Sequence, residues 1–389
     1  MKNSIQPNPF TPKSGIDPRV FVGRDKEIEI FKRKLDDAIK LRRFDHFLVL
    51  GEWGIGKTSL LREFKKIAQS NKVLASYLPI REFQQQDEFI TATVNLISQI
   101  PKSIPIKYQT LKNFINSLGG IGINLPLVGG GVQLPDKNEL KGDPQVILLD
   151  ALINLWHSVK SETEVLVVLL DDVQNYQHIS GYLTIIKNVL NDDTIIKETG
   201  FLFILASTPV AWAQFLKKHH PIGRYFTPII KLGRLDLEET LKVLDQTLHS
   251  TGVVFDEAIK RRVYEYSEGH PYELQVLCSF LYDNQIAGKV SEDSWEVSLD
   301  MAITQLGDIL LDHLYNEASP SEAEVLKALS EQSGPYESYA ITGKMKRFSA
   351  GTVNKYLIRL VSKNLLLRKE RGVYAFPDRM CREYVFRRL

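Results

Sequence analysis

Phe47-Leu48-Val49-Leu50-Gly51-Glu52-Trp53-Gly54-Ile55-Gly56-Lys57-Thr58-Ser59 is the stretch on which the fold turns. Its four leading apolar residues read as a buried strand, and apolar residues at helical spacing follow from Lys57 to about Ala68. Between them, Gly51–Thr58 satisfies GxxxxGK[ST], the pattern that cradles phosphates when a strand enters and a helix leaves. The glycines let backbone N–H groups approach a phosphate, and the helix N-terminus adds positive potential there. Lys57 is placed to reach the β- and γ-phosphates, and the Thr58 hydroxyl to join the shell of Mg²⁺. Gly51, Glu52, Trp53, Gly54, Ile55, Gly56, Lys57, Thr58 and Ser59 are thus the expected contacts of ATP or ADP. A chance Gly/Lys turn would match the same letters, but not with both flanking elements in place.

Such a site needs a carboxylate at the end of a neighbouring strand. Val165-Leu166-Val167-Val168-Leu169-Leu170-Asp171-Asp172 supplies two. Asp171 is expected to hold Mg²⁺, usually through water, because that hard cation prefers oxygen ligands and stays hydrated. Asp172 is placed to orient or deprotonate the attacking water. A third strand ends in Ala206-Ser207-Thr208-Pro209, where Ser207 or Thr208 is the candidate for a polar group beside the γ-phosphate. Strand-end capping is the alternative for either. Arg224, in Pro221-Ile222-Gly223-Arg224-Tyr225, can stabilise charge on the γ-phosphate in cis or from a neighbouring subunit. A surface ion pair is the other reading, and Arg234 is a weaker competitor.

Outward from the loop, helices and uniformly apolar strands alternate. A helix spans Glu27–Leu41, with strands at Val73–Ile80, Val165–Leu170, Phe201–Ala206 and Pro228–Leu232 and helices at Phe89–Ile100 (ended by Pro101), Val146–Lys160 and Gly181–Leu190. This pattern predicts an α/β fold, a five-stranded parallel P-loop NTPase sheet covered on both faces. Residues 1–18 read as an extended arm. Residues 101–144, with Gly119–Val128 and Gly129–Gly131, read as a β-hairpin insertion. The expected domains are a nucleotide-binding core at 1–233, a helical lid at 234–317 and a terminal module at 318–389. That module shows helices at Glu322–Leu329, Tyr339–Lys346 and Thr352–Leu360, then a hairpin turning at Arg371-Gly372, which is the winged helix-turn-helix pattern.

Charge is unevenly spread. Residues 318–389 hold 14 Lys/Arg against 7 Asp/Glu, leaving 35 against 40 for residues 1–317 out of totals of 49 and 47. A basic module on an acidic body points to a polyanion such as duplex DNA, with docking on that acidic body as the plainer alternative. Ser349, Thr352, Asn354, Lys355 and Arg359 lie on the expected recognition helix, with Val353, Leu357 and Leu360 facing inward. Lys344, Lys346, Arg347, Arg368, Lys369 and Arg371 are expected at phosphates, which supply affinity more than sequence choice. The two cysteines, Cys278 and Cys381, build neither a zinc framework nor a disulfide scaffold. The longest apolar runs are far shorter than the roughly 20 residues of a membrane span. With no apolar leader after Met1, a cytoplasmic location is the default expectation.

Taken together, these motifs resemble the AAA+ ATPases, and within them the STAND class and the archaeal ATPases allied to the origin-recognition proteins. Phe21-Val22-Gly23-Arg24-Asp25 resembles the N-terminal box that folds over adenine, which implies that Phe21, Val22, Gly23 and Arg24 bind nucleotide. Gly54–Leu61 resembles the STAND phosphate loop, and Leu169–Gln174 the acidic strand end of the archaeal ATPases. Glu268-Gly269-His270-Pro271-Tyr272 resembles the lid turn that presses on the base, which implies contacts from His270 and Pro271. The resemblance implies slow ATP hydrolysis coupled to a switch, since Asp172 stands where Glu is more usual and the Gly269–Gln275 segment holds no arginine. Two outcomes stay open: an ATP-dependent DNA binder, or a signalling switch that forms homo-oligomers or docks protein partners.

Overall fold

A computed structural model describes residues 6–13, 18–84, 89–119, 127–128, 131–132, 142–179 and 181–388. The chain divides into two units, Arg24–Gly233 and Met1–Gly23 with Arg234–Leu389, each with its own core.

In the first unit the order is α1 (Asp25–Leu41), β1 (Phe47–Leu50), α2 (Lys57–Ser70), β2 (Leu74–Pro79), α3 (Phe89–Lys102), α4 (Tyr108–Gly119), β3 (Leu127–Val128) and β4 (Gly131–Val132). Then follow α5 (Pro144–Val159), β5 (Leu166–Asp171), a 3₁₀ turn (Val173–Ile179), α6 (Tyr182–Leu190), α7 (Asp193–Glu198), β6 (Phe201–Ser207), α8 (Pro209–Lys218), a second 3₁₀ turn (His220–Arg224) and β7 (Ile229–Lys231). Five of these strands form one sheet, β2-β5-β6-β1-β7, with every pair parallel. β1, β5 and β6 are buried at every residue, as strands covered by helices on both faces must be. Phe31 of α1 stacks on Phe64 of α2 at 4.3 Å, and Phe64 meets Phe47 of β1 edge-on, which seats α2 on the sheet. Each such buried ring contributes about 1.5–3 kcal/mol.

The five-stranded core matches the expectation, strand ends falling within one or two residues. Two details differ. Pro101 sits inside the last turn of α3, which runs on to Lys102. The 101–144 segment opens with the helix α4, whose Phe114, Ile115 and Leu118 are buried in the core. The hairpin itself is only the two-residue pair β3–β4, and the remainder of the expected hairpin, 120–126 and 129–130, lies outside the described residues.

The second unit is helical from α9 (Leu237–Leu248) through α10 (Glu257–Ser267), α11 (Pro271–Asp283), α12 (Glu292–Leu306), a π turn (Gly307–Leu311) and α13 (Asp312–Asn316). It continues with α14 (Pro320–Ser330), β8 (Tyr336–Glu337), α15 (Ser338–Lys344), α16 (Ala350–Ser362), β9 (Leu367–Glu370), β10 (Val373–Ala375) and α17 (Arg379–Arg388). The three strands form an antiparallel sheet, β8-β10-β9, so the expected two-stranded hairpin gains an edge strand, and α17 adds a helix beyond it. One apolar core runs from Phe10 and α9 to Val385. The arm lies along α11, where Asn8 donates to the Ser279 carbonyl at 3.0 Å and Tyr282 donates to the Gln6 carbonyl at 2.7 Å, and its Phe10 stacks on Phe255, just before α10.

The turn before α11 is built on Gly269, whose φ is +71°. A Cβ there would stand 1.9 Å from the Leu235 carbonyl oxygen, and the Gly269 carbonyl accepts from Leu235 N at 2.9 Å. Gly269→Ala therefore combines left-handed strain with a backbone clash. We expect it to lower the stability of this unit by at least about 2 kcal/mol, read as a lower denaturant midpoint in equilibrium unfolding.

Candidate nucleotide site

The carboxyl ends of β1, β6 and β5 share one edge of the sheet, so Gly51, Ser207 and Asp171–Asp172 arrive there together. Gly51 N donates to the Ser207 carbonyl at 3.2 Å, continuing the ladder one residue into the loop. The loop then folds tightly: a Cβ on Gly51 would stand 2.5 Å from the Ile55 side chain. Gly54 and Gly56 take φ of +73° and +98°, and nothing lies within 4 Å of a Cβ on Gly56. Gly56 precedes α2 without any side-chain cap, which leaves the first N–H groups of a 14-residue helix for an anion. Ile55 is buried and Trp53 is 41% exposed.

The Lys57 ammonium is buried and donates to the Gly51 and Glu52 carbonyls at 3.0 and 2.9 Å. Burial pulls its pKa below the ordinary lysine value, while Asp172, Asp171 and Glu52 act the other way. Thr58 Oγ1 donates to Asp171 Oδ2 at 2.6 Å, and Tyr77 of β2 donates its hydroxyl to the same oxygen at 2.8 Å. Burial, then the neighbouring Asp172, push the Asp171 carboxyl above its usual range. A hydroxyl and a carboxylate side by side are the hard oxygen donors that suit a divalent cation, so the residues fit Mg²⁺. Asp172 accepts from Gln174 Nε2 at 2.8 Å.

Tyr77 and Gln174 carry no role in the sequence reading, and neither does the reach of Arg24. The Arg24 guanidinium is buried beneath the loop and donates to the carbonyls of Ile55 at 3.1 Å and Gly233 at 2.8 Å. Thr208 Oγ1 accepts from Ala211 N at 3.3 Å, so this side chain caps α8, whereas Ser207 is buried at the strand end. Arg224 is not brought to the loop. It lines a groove with Arg43, His46, Phe201 and Thr227, at the amino ends of the strands, which is the opposite edge of the sheet. A cis role for Arg224 on the phosphates is therefore excluded by strand direction.

In the second unit, Gly23 has φ +76° and packs on Leu235 and Glu239, with Phe21 and Val22 partly buried beside it in sequence. His270 is buried and its Nδ1 accepts from Glu273 N at 3.4 Å, capping α11, with Pro271 in the first turn. Arg234 is engaged: it donates to the Ser267 carbonyl at 3.3 Å, meets Asp378 at 3.1 Å and lies 3.6 Å from Glu268.

The same unit sorts the basic residues of 318–389 into two sets. Arg379 pairs with Glu265 and lies over the Tyr266 ring, Arg387 pairs with Glu296, and Arg388 with Asp300, so these arginines fasten α17 to α10 and α12. Lys363 pairs with Glu322 and Arg347 with Glu324. Lys344, Lys346, Lys355, Arg359, Arg368, Lys369 and Arg371 are exposed and enter no ion pair among the described residues. Ser349 caps α16, accepting from Thr352 N at 3.2 Å, and Asn354 is exposed, while Val353, Leu357 and Leu360 are fully buried as expected.

Removing the Arg24 guanidinium leaves the Ile55 and Gly233 carbonyls without their donor. For Arg24→Ala we expect a loss of about 1.5–3 kcal/mol in stability and weaker nucleotide binding, measured by thermal melting and calorimetry.

Residues 20–184 match the family described as AAA ATPase domain, a span holding the phosphate loop and the aspartate pair, and the match supports ATPase activity. Among solved structures, a Walker-type ATPase of Pyrococcus abyssi is similar at 16% identity over 99% of each chain, with a TM-score of 0.59. The ORC2 protein of Aeropyrum pernix in its ADPNP–ADP complexes is 15% identical over 96% of each chain, with a TM-score of 0.51. Cdc6p from Pyrobaculum aerophilum is 12% identical over 96% of each chain, at 0.50. No curated protein sequence matches. At such identities the likeness is one of fold, and the five-stranded parallel sheet of the first unit is of the P-loop NTPase kind.

Proposed function

We propose that this chain is a slow, Mg²⁺-dependent ATPase whose nucleotide state governs duplex DNA binding by residues 318–389, acting as a winged helix. The observation that carries the nucleotide half is the 2.6 Å contact between Thr58 and Asp171, which joins the loop to the acidic strand end. When bound, Mg²⁺ supplies charge neutralisation to the phosphate oxygens. Lys57 exchanges the loop carbonyls for the β- and γ-phosphates, and the uncapped N–H groups of α2 hold the chain of phosphates in line. Asp172 takes a proton from water as its oxygen bonds to the γ-phosphorus and the bond to the bridging oxygen breaks, releasing ADP. Ser207 is the polar group at the adjacent strand end, and Arg224, on the far edge and exposed, suits a second copy's site rather than its own.

What supports the DNA half is the division of the cations. The arginines that fasten α17 are a different set from the lysines and arginines left exposed on α15, α16 and the β9–β10 hairpin, where a winged helix meets a duplex. A second reading, a STAND-type switch docking a protein partner, is favoured by one observation: Ile358 lies 59% exposed between Lys355 and Arg359 on α16.

Lys57→Ala is expected to abolish ATP binding in calorimetry, while Asp172→Asn slows hydrolysis about a hundredfold and leaves binding intact. Equal loss of binding in both variants contradicts the assigned roles. DNA affinity should fall steeply with salt, and Lys355→Ala and Arg359→Ala should each reduce the slope of log K against log salt by about 1. Undetectable DNA binding at modest salt, with nucleotide-dependent oligomers in light scattering, would select the protein-docking reading.

A further inference from the structure

Asp172 is the first residue beyond β5, and its φ is +56°. Left-handed backbone is costly for L-residues, and Asp tolerates it better than most because its short polar side chain bonds locally. Such a conformation persists only where its surroundings fix it. Two contacts fix the backbone: Asp172 N donates to Asp171 Oδ1 at 3.0 Å, and the Asp172 carbonyl accepts from Asn175 N at 2.9 Å. Neither touches the Asp172 carboxylate.

That carboxylate is reached by Gln174 Nε2, 2.8 Å from Oδ1. The amide must present its N–H₂ there, because its oxygen would meet the carboxylate with like partial charge. Gln174 Oε1 is buried and has no hydrogen-bond partner among the described residues. The amide therefore gains nothing on its other side, and its contact with Asp172 is what it does. The turn that carries Gln174 is itself anchored, since Asn175 Nδ2 donates to the Ile80 carbonyl at 2.7 Å and Phe83 N donates to the Asn175 carbonyl at 3.2 Å. A rigid turn thus aims one neutral donor at one oxygen of the candidate base.

We propose that Gln174 is the positioning residue for Asp172, occupying Oδ1 so that Oδ2 is the oxygen presented to the attacking water. The inference rests on the reading of Asp172 as proton acceptor, and goes beyond it by naming what holds that acceptor. A neutral donor is the right kind of group for this task. It fixes direction through a single N–H contact and leaves the second carboxylate oxygen free of that amide.

The test is a double-mutant cycle on the full chain with Mg-ATP. Gln174→Ala, and the volume-conserving Gln174→Met, should lower kcat about ten- to hundredfold with KM and nucleotide affinity within about twofold of wild type. In an Asp172→Asn background the same substitutions should change kcat by less than about twofold, because the group they position is gone. Melting temperatures and ADP calorimetry verify that each variant is folded and binds. An unaltered kcat in Gln174→Met beside a slow Asp172→Asn overturns this assignment alone. Equal losses in both backgrounds also overturn it, since a purely structural glutamine acts additively. Equal rates in wild type and Asp172→Asn overturn the proton-acceptor reading and this one with it.

Discussion

The short hydrogen bond from Thr58 to Asp171 depends on every other choice the first unit makes. It joins the first turn of α2 to the end of β5, two strands away from β1 across β6. Such a meeting requires the three strands to run the same way, because reversing any one would carry its end to the far edge, more than 10 Å off for a four-residue strand. Parallel strands in turn need crossover helices, and helices on both faces need strands that are apolar throughout, as Phe47–Leu50 and Leu166–Leu170 are.

The electrostatics of the edge follow from the same geometry. Closing the sheet's edge with a helix buries Lys57 and Asp171 within one small volume, and burial disfavours the charged form of each. The protein offsets that cost with neutral or backbone groups, namely loop carbonyls for Lys57, two hydroxyls for Asp171 and an amide for Asp172.

How much was legible in the sequence divides by range. The phosphate loop, Asp171 and the five strands were readable because each is written in a few consecutive residues. Tyr77 was not, since its strand carries no motif and its partner lies 94 residues on. α17 is hard to see in the sequence because its four arginines mask the buried Met380, Tyr384 and Val385, and three of them, Arg379, Arg387 and Arg388, make sense only beside Glu265, Glu296 and Asp300. α4 was hidden by the glycine-rich stretch after it, which drew the whole insertion towards a hairpin. For Arg224 the sequence leaves a cis contact, a neighbouring subunit's site and a surface ion pair all open, because a linear chain does not say at which edge of a sheet a turn emerges. Thr208 suits either a phosphate contact or a cap on sequence grounds, and a cap is what its hydroxyl makes.

The chain leaves the first unit at two places, before Arg24 and after Gly233. One guanidinium grips the carbonyl at the second exit and the carbonyl of Ile55 at the crown of the phosphate loop, while its own backbone begins the first. Entrance, exit and loop are thus riveted by one side chain. The Ile55 and Gly233 carbonyls, 178 positions apart in the chain, thereby share one donor, so neither can shift without loading the guanidinium that holds the other.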